Sequence, residues 1–494
     1  MPKWPNQPWI YEINAWTWLS ALSSRYRRKI TLGNLPGEIW DELARTHMDG
    51  VWLMGVWRRS ATGRKISLAD SNVQAECRQL FGEFSPRHVS GSPYCIADYS
   101  VDGELGGPEG LAEARRQLAT RGLRLLLDFV PNHVAPDHPW TEDHPEYFVQ
   151  GDRREYEQHP EAFFFVGKNT LARGRDPYFP PWPDTVQLNV FNPGLRSAAL
   201  ATLKQIATQC DGVRCDMAML LLNRIFAQTW GHRAGSLPAS EYWQCVIPQI
   251  RQLYPDFIFV AEAYWDLEWE LMQQGFDYCY DKRLYDRLVE GNPQGIRAHL
   301  SASLDYQRCL IRFLENHDEP RAAAVFSATQ NRVAAVALMT LPGAKLLHDG
   351  QMSGSKIKLS VHLGQCPDEK PDEELRRFYE RLLELACKLE IDRGEWQLCE
   401  QWGWPDNESF QNLVSWCWRL GDAKYLQVLN LSKSRSQARI KVPWNDLAHH
   451  DWNLRDPLQI LDYGRRTGSD LAASGIYVDL EGHSFHFLEF VPEK

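Results

Sequence analysis

Short, almost uninterrupted apolar runs alternate with helix-length segments from residue 9 to residue 348. The runs fall at 9–16, 49–57, 123–130, 212–217, 257–263, 275–280, 310–315 and 344–348. Several, such as DGVWLMGVW and LRLLLDFV, are apolar on both alternating faces, the pattern of strands covered on both sides. Between them, 35–46, 106–121, 195–210 and 241–254 carry apolar residues at helical spacing. Alternating strands and helices predict a parallel sheet, and eight units predict a closed α/β barrel of the (β/α)8, or TIM, type.

Two segments break the rhythm. Residues 134–190 are rich in proline, aromatics and charge, with little periodicity, and are too long for a bare loop. They read as a small inserted subdomain after the third strand. Beyond a charged helix, PDEELRRFYERLLELACKLE, the pattern changes after Asp392 to short alternating runs at 414–418, 425–431, 437–442 and 485–491. These read as a C-terminal antiparallel β-domain. The expected organisation is a barrel from 1–133 and 191–394, an insert at 134–190, and a β-domain at 395–494.

Composition excludes several classes of function. The net charge is -10, and the strongest basic cluster is RYRRK at 25–29. A nucleic-acid partner is not expected. No apolar run is long enough to span a bilayer, and the first residues lack a signal-peptide core. The 11 cysteines have no paired spacing, which fits reduced thiols. A cytoplasmic protein is expected. The 20 tryptophans supply rings of the kind that stack on sugar faces.

Polar residues at the ends of apolar strands locate the chemistry, because in such a barrel the C-terminal strand ends line the active site. LLLDFVPNH gives Asp128, Asn132 and His133; GVRCD gives Arg214 and Asp216. FVAE gives Glu262, and FLENHDEPR gives Asn316, His317, Asp318 and Arg321. Any one of these alone reads first as a capped or hydrogen-bonded loop residue; four such strand ends on one rim do not. Arg214 and Asp216 lie two apart on an extended strand and so share a side, where a guanidinium keeps a carboxylate ionised. Glu262 follows an apolar strand, where desolvation favours the protonated acid. One ionised and one protonated carboxyl are the machinery of glycoside hydrolysis. Cys215 points to the opposite face and reads as barrel packing.

In the order and spacing of these four stretches, the chain resembles the α-amylase family of retaining glycoside hydrolases. The likeness covers roughly residues 9 to 360, and the β-domain resembles that family's C-terminal domain. It implies Asp216 as nucleophile, Glu262 as acid/base and Asp318 as transition-state stabiliser. Arg214, His133, His317 and Arg321 would line the sugar pocket. In SPYCIADY, Tyr94 would be an aromatic platform and Asp98 its supporting carboxylate. The insert would wall the cleft with Tyr178, Phe179 and Trp182, which read equally as the aromatic core of a subdomain. The catalytic carboxyls of a retaining enzyme lie about 5–5.5 Å apart.

The departures bear on substrate. Met219 and Leu220 stand where starch-acting members often carry a Lys-His pair, so apolar surface is expected on the leaving-group side. Gln187 replaces a calcium-binding Asp. Asn132 remains, but the family's structural calcium has one ligand fewer, and no cofactor or metal is expected. HDGQMSG after the last barrel strand also differs from the family pattern. A small carbohydrate is the expected substrate, an α-glucoside, oligosaccharide or glucosylated polyol such as glucosylglycerol, rather than long starch chains. Transglycosylation, phosphorolysis and ordinary α-amylase action on α-1,4-glucans are the alternatives. An inactive carbohydrate-binding protein on the same fold is the reading from outside enzymes.

Overall fold

The computed structural model describes residues 3–390 and 393–493. The change of pattern placed after Asp392 begins where the described residues resume, at Arg393. Eight parallel strands form one closed barrel. In chain order they are β1 (Trp9–Asn14), β2 (Gly50–Met54), β3 (Arg124–Phe129), β4 (Gly212–Cys215), β5 (Ile258–Ala261), β6 (Tyr278–Tyr280), β7 (Leu310–Arg312) and β8 (Ala344–His348). They close in the order β1-β8-β7-β6-β5-β4-β3-β2. All eight apolar runs of the sequence become barrel strands; 344–348 keeps its full length, and the other seven are trimmed at one or both ends.

Contacts divide the chain into two compact units, residues 1–280 with 358–369 and residues 281–357 with 370–494. In the first, β4 is flanked by β3 and β5, with Arg214 level with Asp128 on one side and Val260 on the other. Gly212 opens β4 because a Cβ there would lie 2.8 Å from the Ile258 carbonyl oxygen and 2.6 Å from its Cγ1. β1 is shorter than the sequence suggests. Asn14 ends it by capping a helix (Ala15–Tyr26), its side chain accepting from the Trp16 and Thr17 amides. The run WIYEINAW thus contains a strand and a helix start, and its apolar residues continue across the boundary.

The inserted stretch carries a three-stranded antiparallel sheet, Gln150–Gly151, Asn169–Ala172 and Phe163–Val166. Val186–Gln187 returns to pair with His133–Val134 directly after β3. This pairing anchors the far end of the insert beside the barrel rim.

In the second unit, the helix Glu373–Leu389 buries Leu375, Phe378, Tyr379, Leu382, Leu383 and Ala386. A six-stranded antiparallel sheet follows, in the order Glu395–Leu398, Leu413–Leu420, Ala423–Asn430, Phe485–Pro492, Trp452–Asp456 and Leu461–Arg466. A three-stranded sheet of Glu400–Trp402, Ser436–Lys441 and Ile476–Leu480 packs with it around Leu426, Val428, Ile440, Val478 and Leu488. Among the described residues, no helix is long and apolar enough to cross a membrane.

Candidate active site

The C-terminal ends of β3, β4 and β5 bring three carboxylates onto one guanidinium. Arg214, on β4, is fully buried. Its Nη1 lies 2.6 Å from Asp216 Oδ1 and 3.7 Å from Asp128 Oδ1. Its Nη2 lies 2.8 Å from Glu262 Oε2. Tyr94, Trp52 and Tyr280 surround the guanidinium carbon at 5.1, 5.3 and 5.8 Å. Burial alone would lower the arginine's pKa, but Glu262, the two tyrosines and Asp216 together raise it well above its ordinary value. The cation is therefore permanent, and the parallel strands set its two Nη atoms on two separate acids.

Glu262 receives more than the sequence suggests. Besides Arg214, its Oε2 accepts from the Met217 amide at 2.6 Å, and its Oε1 accepts from the Tyr264 hydroxyl at 3.1 Å. These donors suit a carboxylate and act against the desolvation that the sequence pattern emphasises. Met217 delivers its amide by adopting a left-handed backbone, φ 44° and ψ 43°. That conformation costs energy for a non-glycine residue and is held where the surroundings enforce it. Tyr264, Trp52 and Tyr280 are among the site residues that pattern reading missed. Tyr264 carried a usable signal, two positions beyond Glu262 where an extended chain returns to the same side.

The left-handed step at Met217 also corrects an expectation. Met219 and Leu220 lie in a short 3-10 turn, Ala218–Leu221, whose four side chains are all buried. Met219 is 0% and Leu220 3% exposed, so neither offers apolar surface to a ligand. Their effect is subtractive: the turn presents no charged group. The exposed apolar surface lies elsewhere, at Tyr178 and Phe179, which are 59% and 65% exposed. Buried Asp176 fixes their turn by accepting from both amides, at 2.6 and 2.9 Å. Tyr178 meets Trp265 edge-on, with ring centroids 4.8 Å apart. Trp265 and Asp266 both have left-handed φ values, 63° and 61°, three and four residues after Glu262.

His133 is buried, with Nε2 4.0 Å from Asp216 Oδ2, and its ring lies 5.0 Å from that of half-buried Trp182. Burial lowers the His133 pKa and outweighs the opposing effect of the Asp216 charge. Asp98 behaves differently from the expected support for Tyr94. It is ion-paired with Arg58 and accepts from the Ser100 amide at 2.8 Å. Cys215 is fully buried, and burial pushes its thiol pKa well up, in keeping with barrel packing.

The residues after β7 form a cluster of their own in the second unit. His317 Nε2 lies 2.9 Å from Asp318 Oδ2. Asn316 Oδ1 accepts from the amides of Asp318 and Glu319, both at 2.9 Å, and so sets the turn. Arg321 reaches buried Glu315 at 2.9 Å and donates to the Asp349 carbonyl at 2.8 Å.

The sequence is similar to those of α-amylases. It is 27% identical over 278 residues to α-amylase MalA of Haloarcula japonica, covering 53% of this chain and 36% of that one. It is 22% identical over 330 residues to α-amylase 3 of Dictyoglomus thermophilum, covering 61% and 59%. These matches therefore span between a third and three-fifths of the curated relatives. A noncanonic maltogenic α-amylase, AmyB from Thermotoga neapolitana, superposes with a TM-score of 0.69 at 20% identity over 99% of both chains. No family model matches the sequence.

The residues present do not fit the structural calcium that the resemblance brings with it. Calcium takes six to eight oxygen ligands at about 2.3–2.6 Å. Here the centre of the oxygen cluster at Asn132 and Leu188 is occupied by an N–H donor, the side-chain amide of Gln187. Among the described residues, no group of three or more His, Cys, Asp or Glu side chains is placed to hold a metal.

Proposed function

We propose that the protein is a retaining α-glycoside hydrolase that cleaves α-glucosidic bonds in small glucosides or oligosaccharides. The observation that carries this reading is the single guanidinium shared by Asp216 and Glu262. Its two Nη atoms sit 2.6 and 2.8 Å from the two acids, which holds the carboxyls side by side. Retaining hydrolysis needs such closeness, whereas inversion needs room between the carboxyls for a water molecule.

Asp216 attacks the anomeric carbon and forms the glycosyl-aspartate bond. Glu262 gives its proton to the departing glycosidic oxygen. Because Oε2 is committed to Arg214 and the Met217 amide, Oε1, beside the Tyr264 hydroxyl, is the oxygen that carries that proton. A water molecule then attacks the anomeric carbon, Glu262 takes its proton, and Asp216 leaves with the configuration restored. In the second unit, His317 lies 2.9 Å from Asp318, the carboxylate to which the resemblance gives the transition-state role.

The preference for small substrates rests on the leaving-group side. The turn after Asp216 turns Met219 and Leu220 into the core and offers no charged partner to a long chain. Tyr178, Phe179 and Trp265 supply ring faces for one or two leaving-group sugars. The test is product release from maltose, maltotetraose, isomaltose, sucrose, glucosylglycerol and soluble starch. At least one small glucoside is expected to give a kcat/KM above that for starch on a per-bond basis. Faster cleavage of starch overturns the size preference and leaves an ordinary α-amylase. Products that appear only with added phosphate or a sugar acceptor would replace hydrolysis by transfer.

A further inference from the structure

Gln187 is completely buried, and its side-chain nitrogen is surrounded by oxygen. Nε2 donates to the Asn132 carbonyl and to Asn132 Oδ1, both at 2.9 Å, and lies 3.1 Å from the Leu188 carbonyl. Two hydrogens serve three acceptors, so one is shared. Two main-chain carbonyls and a side-chain amide oxygen are ligand types that a hard cation also gathers. Their spacing is that of N–H···O bonds rather than calcium–oxygen contacts. The amide's other end is engaged too: Oε1 accepts from Asn132 Nδ2 and from the Arg175 amide, each at 3.4 Å.

We propose that the Gln187 amide does the work of a cation in a metal-free joint, and that this joint positions His133 beside Asp216. Gln187 locks Asn132 by a reciprocal amide pair. Asn132 Nδ2 lies 3.3 Å from His133 Nδ1, and His133 turns Nε2 towards Asp216. The Gln187 and His133 backbones are paired in register, so the same joint ties the insert to the end of β3. A cation would impose this arrangement by charge. The amide imposes it with hydrogen bonds that need no bound ion. Gln187 and Asn132 are positioning residues, since their contacts run through His133.

Gln187→Asp tests the joint, because it removes the donor and leaves a carboxylate facing the same oxygens. The wild-type melting temperature is expected to be the same in EDTA and in millimolar calcium chloride. Gln187→Asp is expected to melt several degrees lower in EDTA and to recover most of that loss with calcium. Its kcat on the best small glucoside should fall about 10-fold with little change in KM, and calcium should restore it. A wild-type protein that melts lower in EDTA than in calcium overturns the proposal, as does a Gln187→Asp variant indifferent to calcium. If Gln187→Asp does not fold, Gln187→Met decides. A Gln187→Met protein as stable as wild type shows that the amide holds nothing, whereas a destabilised one that ignores calcium supports the joint. The thermal readouts do not depend on the proposed hydrolysis, so failure of that reading and failure of this one are distinguishable.

Discussion

Glu262→Gln is expected to lower kcat on the best small glucoside by roughly 10²–10⁴-fold, the usual contribution of a positioned general acid. KM should change little, because the amide keeps the shape of the carboxyl group and still accepts from the Met217 amide. What it loses is the proton for the glycosidic oxygen. The deficit should therefore depend on the leaving group. A glucosyl fluoride leaves without protonation, so its first step should survive in Glu262→Gln, with a burst of released fluoride as the glycosyl-enzyme accumulates. Asp216→Asn should show no burst with either substrate, since it removes the nucleophile. The melting temperature of Glu262→Gln should stay near that of wild type, because the amide oxygen can still accept from Arg214 and the Met217 amide, and its NH2 group can donate to the Tyr264 hydroxyl. Equal losses on both substrates would remove Glu262 from the acid role and leave it as a buried partner of Arg214.

The parts of this site that were legible in the sequence share one physical property. Asp128, Asp216 and Glu262 are carboxylates at or near the ends of largely apolar runs, where barrel strands open onto the site. The alternation of those runs with helical segments located all eight barrel strands. What stayed hidden depends on neighbours distant in sequence. No spacing rule places Arg214 between strands β3 and β5, yet that placement joins Asp216 to Glu262. The burial of Met219 and Leu220 follows from a left-handed residue at Met217, which no propensity favours there. The helix at Ala15 was obscured because its first turn is as apolar as the strand before it, and only the Asn14 cap marks the change. In the β-domain, Leu461–Arg466 is largely exposed on both faces, so its sequence LDYGRR lacks the alternation that reveals a strand.

Arg214→Met is expected to cost about 3–5 kcal/mol of stability, the range for removing one partner from a buried charge arrangement. Methionine fills much of the same space and can rest against Trp52, Tyr94 and Tyr280, so the loss reports charge more than volume. Asp128, Asp216 and Glu262 would be left buried without their shared cation. Buried carboxylates in that position take up protons more readily than in the unfolded chain, so their penalty is greatest above the ordinary carboxylate range and shrinks as the pH falls through it. Denaturation of wild type and variant across that range should therefore show the gap closing towards acid. A gap that stays constant with pH would mean that the guanidinium serves packing alone. Arg214→Lys separates the remaining roles. A compact ammonium restores one positive charge and part of the stability, but it lacks the planar fork that reaches two acids from two nitrogens. Its kcat should therefore stay depressed although the fold recovers. Stability restored without turnover would identify the geometry of the fork, rather than its charge, as what holds nucleophile and acid in register.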